Sequence, residues 1–143
     1  MNRGATLWEL IVVLLVLAIV AGLAVPSART ARDRALVHLQ ARRLTGALAD
    51  TRQLAGRTGA RADLVISPLA LHQRRFDHGT WRPTWSRPGP AGDGVSLTGP
   101  GSALVFDSRG YTLGVSNRTY LLSRGPTTVR VVISRLGRAR ILP

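Results

Sequence analysis

From Ala5 to Val25 the chain is apolar apart from small residues and one charge, Glu9. As a helix those residues span about 31 Å at ~1.5 Å per residue, enough to cross a bilayer core of about 30 Å. Gly22 and Pro26 then stand one turn apart. Pro26 has no N–H for the Gly22 carbonyl, which predicts a kink or local melting. Beyond it, Val37, Ala41, Leu44, Leu48, Thr51 and Ala55 recur at spacings of four and three. That period predicts one helical stripe packed onto a domain, with Arg32, Arg42, Arg43, Asp50 and Arg52 mostly on other faces. Gly56 and Gly59 mark its end.

After Gly59 the pattern changes to short runs. Ala62–Ser67 and Leu69–Phe76 flank Pro68, and Asp77-His78-Gly79 is a turn signal. Residues 86–94, rich in Pro and Gly, are expected to form a mobile loop. Further runs follow at Val95–Thr98, Ala103–Phe106, Tyr111–Val115, Thr119–Leu122 and Thr128–Ser134. In the last, Val129, Val131 and Ile133 alternate with Arg130, Val132 and Ser134, as in a half-buried strand. The expected fold class is α+β, a long N-terminal helix followed by an antiparallel β-rich domain of six to eight strands. The expected divisions are 1–4, 5–25, 26–56 and 57–143.

At 143 residues the chain suffices for one membrane helix and one small globular core. Cysteine is absent, which excludes disulfides, thiolate nucleophiles and cysteine metal sites. All 20 basic residues are arginine, against seven acidic ones, for a formal charge of +13. No P-loop or Schiff-base lysine exists. A GC-rich genome accounts for Arg in place of Lys, but not for basic over acidic. The excess calls for anionic partners: phospholipid headgroups, nucleic acid or acidic neighbours in an assembly.

A carboxylate in a membrane-length apolar run is costly, about 2.5–3.5 kcal/mol at the centre of a spanning helix and less near the interface. An ordinary secretory signal has a shorter, acid-free apolar region, and a plain anchor leaves Glu9 without a role. The order Gly4, Ala5-Thr6-Leu7-Trp8-Glu9-Leu10 and then apolar helix resembles the prepilin signature. The resemblance implies a leader of Met1 to Gly4, cleavage between Gly4 and Ala5 by a prepilin peptidase, and N-methylation of Ala5. It also implies that Glu9 neutralises the terminal amine of a neighbouring subunit inside a filament. Phe or Met is usual at the first mature position, and here it is Ala5. Arg3 stands on one side of the span and Arg29, Arg32, Arg34, Arg42 and Arg43 on the other. The positive-inside rule would place the C-terminal domain in the cytoplasm. The prepilin resemblance, being more specific, implies the bacterial inner membrane crossed once, with that domain in the periplasm or an extracellular filament.

Leu104-Val105-Phe106-Asp107-Ser108-Arg109-Gly110 and Val131 to Arg140 extend the likeness, which is to the GspH/FimT family of minor pilins and pseudopilins. That family implies a subunit of a type IV filament machine with other pilin or pseudopilin subunits as partners. Its Gly-Arg-x-Arg tail implies non-specific DNA binding during DNA uptake, carried here by Gly137, Arg138 and Arg140, with Arg135 as a further contact. In an extended tail, Arg138 and Arg140 share a face about 6.6–6.8 Å apart, close to two nucleotide steps of about 3.4 Å. The alternatives are a solvated basic strand end, and a type II secretion pseudopilin acting in export through other minor pseudopilins. Trp81 and Trp85, interleaved with Arg82 and Arg87, fit either base stacking or half-core packing. His38, His72 and His78 lack metal-ligand spacing, and nothing in the sequence supports enzyme activity or a cofactor.

Overall fold

A computed structural model describes residues 7–114 and 117–143, with the side chains of residues 23–26 outside that description. Gly4 and Ala5, the expected cleavage and methylation positions, lie outside the described residues, as does Val115. One helix, α1, runs from Leu7 to Thr58. It is assigned as continuous, so Gly22 and Pro26 do not divide it into two elements. It ends where Gly59 turns left-handed, φ +61°, a conformation that favours glycine just past a helix terminus.

Nine strands follow among the described residues: β1 Ala62–Ile66, β2 Ala70–Asp77, β3 Thr80–Pro88, β4 Ser96–Thr98, β5 Leu104–Phe106, β6 Thr112–Leu113, β7 Arg118–Arg124, β8 Thr127–Ile133 and β9 Ala139–Leu142. They make two antiparallel sheets, ordered β3-β2-β1-β5-β6 and β4-β7-β8-β9. Two of them, β3 and β9, exceed the runs the sequence predicted. Strand β3 carries Pro83 and Pro88, which an edge strand tolerates because one row of its backbone groups has no ladder partner. Residues 86–94 are therefore not the expected loop. They complete β3 and then form a short 3-10 helix, Pro90–Asp93. Strand β9 has only four residues, too few for an apolar pattern to show it.

Both sheets pack on the second half of α1. Val37, Ala41, Leu44, Leu48, Thr51 and Ala55 are all buried, together with Leu64, Phe106, Tyr120, Leu122, Val131 and Ile133 from the strands. The stripe includes Thr51 because its hydroxyl is satisfied: it donates to the Ala47 carbonyl (2.7 Å) and accepts from the Gln73 amide (3.1 Å). Carboxylates tie the remaining seams. Asp33 on α1 accepts from Arg124 Nε of β7 at 2.7 Å. Asp93 of the 3-10 helix accepts from Gln40 and Arg43 of α1. Asp63 of β1 is buried and paired through both carboxylate oxygens with Arg74 of β2.

The first half of α1 is different. Leu7, Leu10, Leu14, Leu17 and Val20 are all more than half exposed. By length and composition α1 is able to cross a membrane. A contiguous apolar surface of this kind needs lipid or protein to cover it.

Candidate polyanion-binding groove

Two hairpin tips with one design meet beside α1. In the β5–β6 turn, Asp107 N–H donates to the Tyr111 carbonyl (2.9 Å) and Gly110 N–H to the Asp107 carbonyl (2.9 Å). In the β8–β9 turn, Ser134 N–H donates to the Arg138 carbonyl (2.8 Å) and Gly137 N–H to the Ser134 carbonyl (2.9 Å). Each turn closes on a left-handed glycine, φ +80° at Gly110 and +71° at Gly137, the conformation short hairpin loops require. Each also uses its first side chain as a backbone acceptor. Asp107 Oδ1 takes the N–H of Arg109 (2.9 Å) and of Tyr111 (2.8 Å), and Ser134 Oγ takes that of Arg138 (3.2 Å). Thr112 joins the two tips by donating its hydroxyl to the Arg135 carbonyl at 2.9 Å.

The tips touch. A Cβ at Gly137 would lie 2.8 Å from the Gly110 carbonyl oxygen and 3.5 Å from Arg52 Cδ. A Cβ at Gly110 would lie 3.0 Å from both Cγ and Nε of Arg52. The close approach that Gly137 permits is thus to the neighbouring turn and to a helix side chain. Between these tips, β9 and α1 lies a groove of about 590 Å³. Leu48, Ala49 and Arg52 line it from the helix, and Arg109, Arg138 and Arg140 from the strands.

Alternation along β9 sets the arginines. Ala139 pairs with Ile133 and Ile141 with Val131, both core positions, whereas Arg140 pairs with Val132. Arg138 and Arg140 therefore leave the core face together. Arg135 is exposed at the turn and does not line the groove.

The groove gathers arginines that no carboxylate neutralises, as Arg29, Arg32, Arg34, Arg42, Arg57, Arg61, Arg118 and Arg135 are not neutralised elsewhere among the described residues. Asp33, Asp50, Asp63, Asp77 and Asp93 pair with arginines outside it, and the Asp107 carboxylate is taken by its own turn. Among the described residues, no ion pair involves Arg52, Arg109, Arg138 or Arg140. Four planar guanidinium groups lining one cleft make a positive field suited to a multiply charged anion.

The tryptophans belong elsewhere. The β2–β3 ladder pairs Gln73 with Trp85 and Arg74 with Pro83, so Thr84 is a bulge and flips the side-chain alternation. Trp85 packs on the core with the Arg87 guanidinium 4.3 Å from its ring centroid. Trp81 lies on the other face beneath Arg74 (5.3 Å) and edge-on to Phe76 (5.2 Å). Both rings are engaged within the hairpin, and Arg82 pairs with Asp77 at 3.5 Å.

Sequence reasoning reached Arg138, Arg140 and Gly137 but not Arg52 or Arg109. The missed signal was the repeated turn, Asp-Ser-Arg-Gly and Ser-Arg-Leu-Gly, whose matching geometry brings the two tips together. Glu9 is in the first turn of α1, in the exposed apolar half.

The architecture of one long helix under two small antiparallel sheets has solved counterparts. A crystal structure of the Pseudomonas aeruginosa type IV minor pilin FimU superposes with a TM-score of 0.66 at 16% identity, covering 77% of this chain and 90% of that one. A second crystal form of FimU gives 0.61 at 16% identity, over 74% and 92%. The fold is that of a type IV pilin. No family model matches the sequence, and no curated protein matches it either.

Proposed function

We propose that this chain is a minor pilin-type subunit of a type IV filament machine, and that its groove binds DNA through phosphates. The pilin fold carries the first part: an exposed apolar half-helix continuous with a helix buried in a β-domain suits a subunit that is stored in a membrane and packed in a filament core. In this reading a prepilin peptidase cuts between Gly4 and Ala5 at the inner membrane, and the new amine of Ala5 is methylated. Glu9 then neutralises a neighbour's terminal amine, so that neither charge stays unpaired in the apolar core. The test is incorporation. Tagged wild-type protein should appear in filaments sheared from the producing bacterium. The Glu9→Ala protein should remain in the membrane and be missing from them. Equal incorporation of both would remove Glu9 from assembly.

The DNA reading is supported by the unpaired Arg138 and Arg140 beside Gly137, at the open edge of the second sheet. Backbone contacts alone give binding without sequence preference and with strong salt dependence. Full-length protein in non-ionic detergent should bind fluorescent duplex DNA, and Arg138→Gln/Arg140→Gln should lose about two units of salt slope. Absence of binding at low salt, with filament incorporation intact, would favour the secretion pseudopilin instead.

A further inference from the structure

Arg52 and Arg109 line the same groove as Arg138 and Arg140, and they come from different elements. Arg52 is on α1, and its stem rests against the two turn glycines, since a Cβ at Gly110 or Gly137 would meet its Cγ, Nε and Cδ at 3.0–3.5 Å. Both glycines leave that space open. Arg109 is at the β5–β6 tip, with its backbone N–H fixed by Asp107 at 2.9 Å. The side chain of Arg109 is exposed, and both residues line the same cleft as the tail arginines.

We propose that Arg52 and Arg109 belong to the phosphate site as well, so that one sugar–phosphate backbone of DNA lies along the groove and is held by α1 and both turns as well as by β9. This rests on the reading of Arg138 and Arg140 as phosphate contacts. The lining carries the chemistry for a backbone and lacks the chemistry for bases. Guanidinium groups match phosphate oxygens in pairs. Among the described residues no aromatic side chain lines the groove, so the stacking that gives single strands their affinity has no platform there. Lipid headgroups are distant. Arg52 is 27 residues beyond Val25 on the same helix, about 40 Å along its axis. A headgroup's field fades over a Debye length of about 8 Å.

Binding of fluorescent duplex DNA to full-length protein in non-ionic detergent, followed across a salt series, tests this. Each phosphate contact contributes about 0.9 to the slope of log K against log salt. Arg52→Gln/Arg109→Gln should lose about two units, as Arg138→Gln/Arg140→Gln does. Two single variants guard against misfolding. Arg109→Gln, in an exposed turn held by backbone and Asp107 bonds, should lose about one unit. Arg52→Lys, which keeps the charge, should retain the wild-type slope, although its affinity falls with the loss of bidentate geometry. If Arg52→Gln/Arg109→Gln and Arg109→Gln keep the wild-type slope while the tail variant loses it, the wider site is overturned and the tail reading stands. If the tail variant also keeps the wild-type slope, or wild type does not bind, both are overturned.

Discussion

Gly137 is where backbone conformation and packing coincide. Alanine there would hold a left-handed φ, at a cost of about 1–2 kcal/mol, and would press its methyl 2.8 Å from the Gly110 carbonyl. Gly137→Ala should therefore lower the urea midpoint and shift the amide resonances of both turns; Gly79→Ala, with open space around it, should not reach the groove. Tyr120 makes the opposite case. Its ring is buried beneath Gly99, and among the described residues no group meets hydrogen-bond geometry with its hydroxyl. Burial pushes the phenol above its ordinary pKa, and the nearby Arg118 opposes that only in part. Removing an unsatisfied buried hydroxyl costs no hydrogen bond, so Tyr120→Phe should leave stability unchanged or raise it by up to about 1 kcal/mol. Asp63 is the reverse again. Its hydrogen bonds hold Arg74 above the ordinary guanidinium value against the effect of burial. Asp63→Asn strands a charge, and because Arg74 is a third exposed the loss should fall at or below the low end of about 3–5 kcal/mol. Chemical denaturation of the three variants ranks these effects.

At the scale of elements, the helix was the most legible part. Six positions from Val37 to Ala55 have the period of one face, and that face is the core. Leu48→Ala should thus cost about 2–5 kcal/mol. Leu39→Ala on the exposed side should cost well under 1 kcal/mol on the usual surface scale. The strands were legible where apolar residues alternate, as in Thr127–Ile133, and illegible where proline interrupts the run or the strand is only four residues long. Pro83 and Pro88 disguised β3, and the bulge at Thr84 broke the alternation that would have exposed it. Within the groove, the tail arginines were visible as a local motif. Arg52 and Arg109 were not, because they are 57 residues apart in sequence and meet through two turns whose pairing is tertiary. Asp77, at the β2–β3 turn, adds a pH response. Burial raises its carboxyl, but the charges of His78, Arg75 and Arg82 outweigh this and leave it below the ordinary value. That contribution is present above the unfolded carboxylate pKa of about 3.9 and is lost as pH falls through the lower folded value. Trp81 fluorescence in an acid titration should stay constant down to that range and change below it.

Across the whole molecule, the exposed apolar surface and the arginine-lined groove are segregated. The exposed apolar half of α1 is at one end, and the unpaired arginines of the groove are beyond the opposite half. Leu14→Arg places a charge in the apolar half at a cost of about 2.5–3.5 kcal/mol, so carbonate extraction should release more of this variant from membranes than of wild type. DNA affinity in detergent should be unaffected by the same change, since the groove is formed by other residues. The continuity of α1 from Leu7 to Thr58 also has a mechanical meaning. Arg52 and the apolar segment belong to one helix, so a pull applied at the groove is carried along α1 to the apolar half. Along Val37 to Ala55 that helix lies flat against two sheets, and a load parallel to its axis must shear every contact of the stripe together before any one gives way.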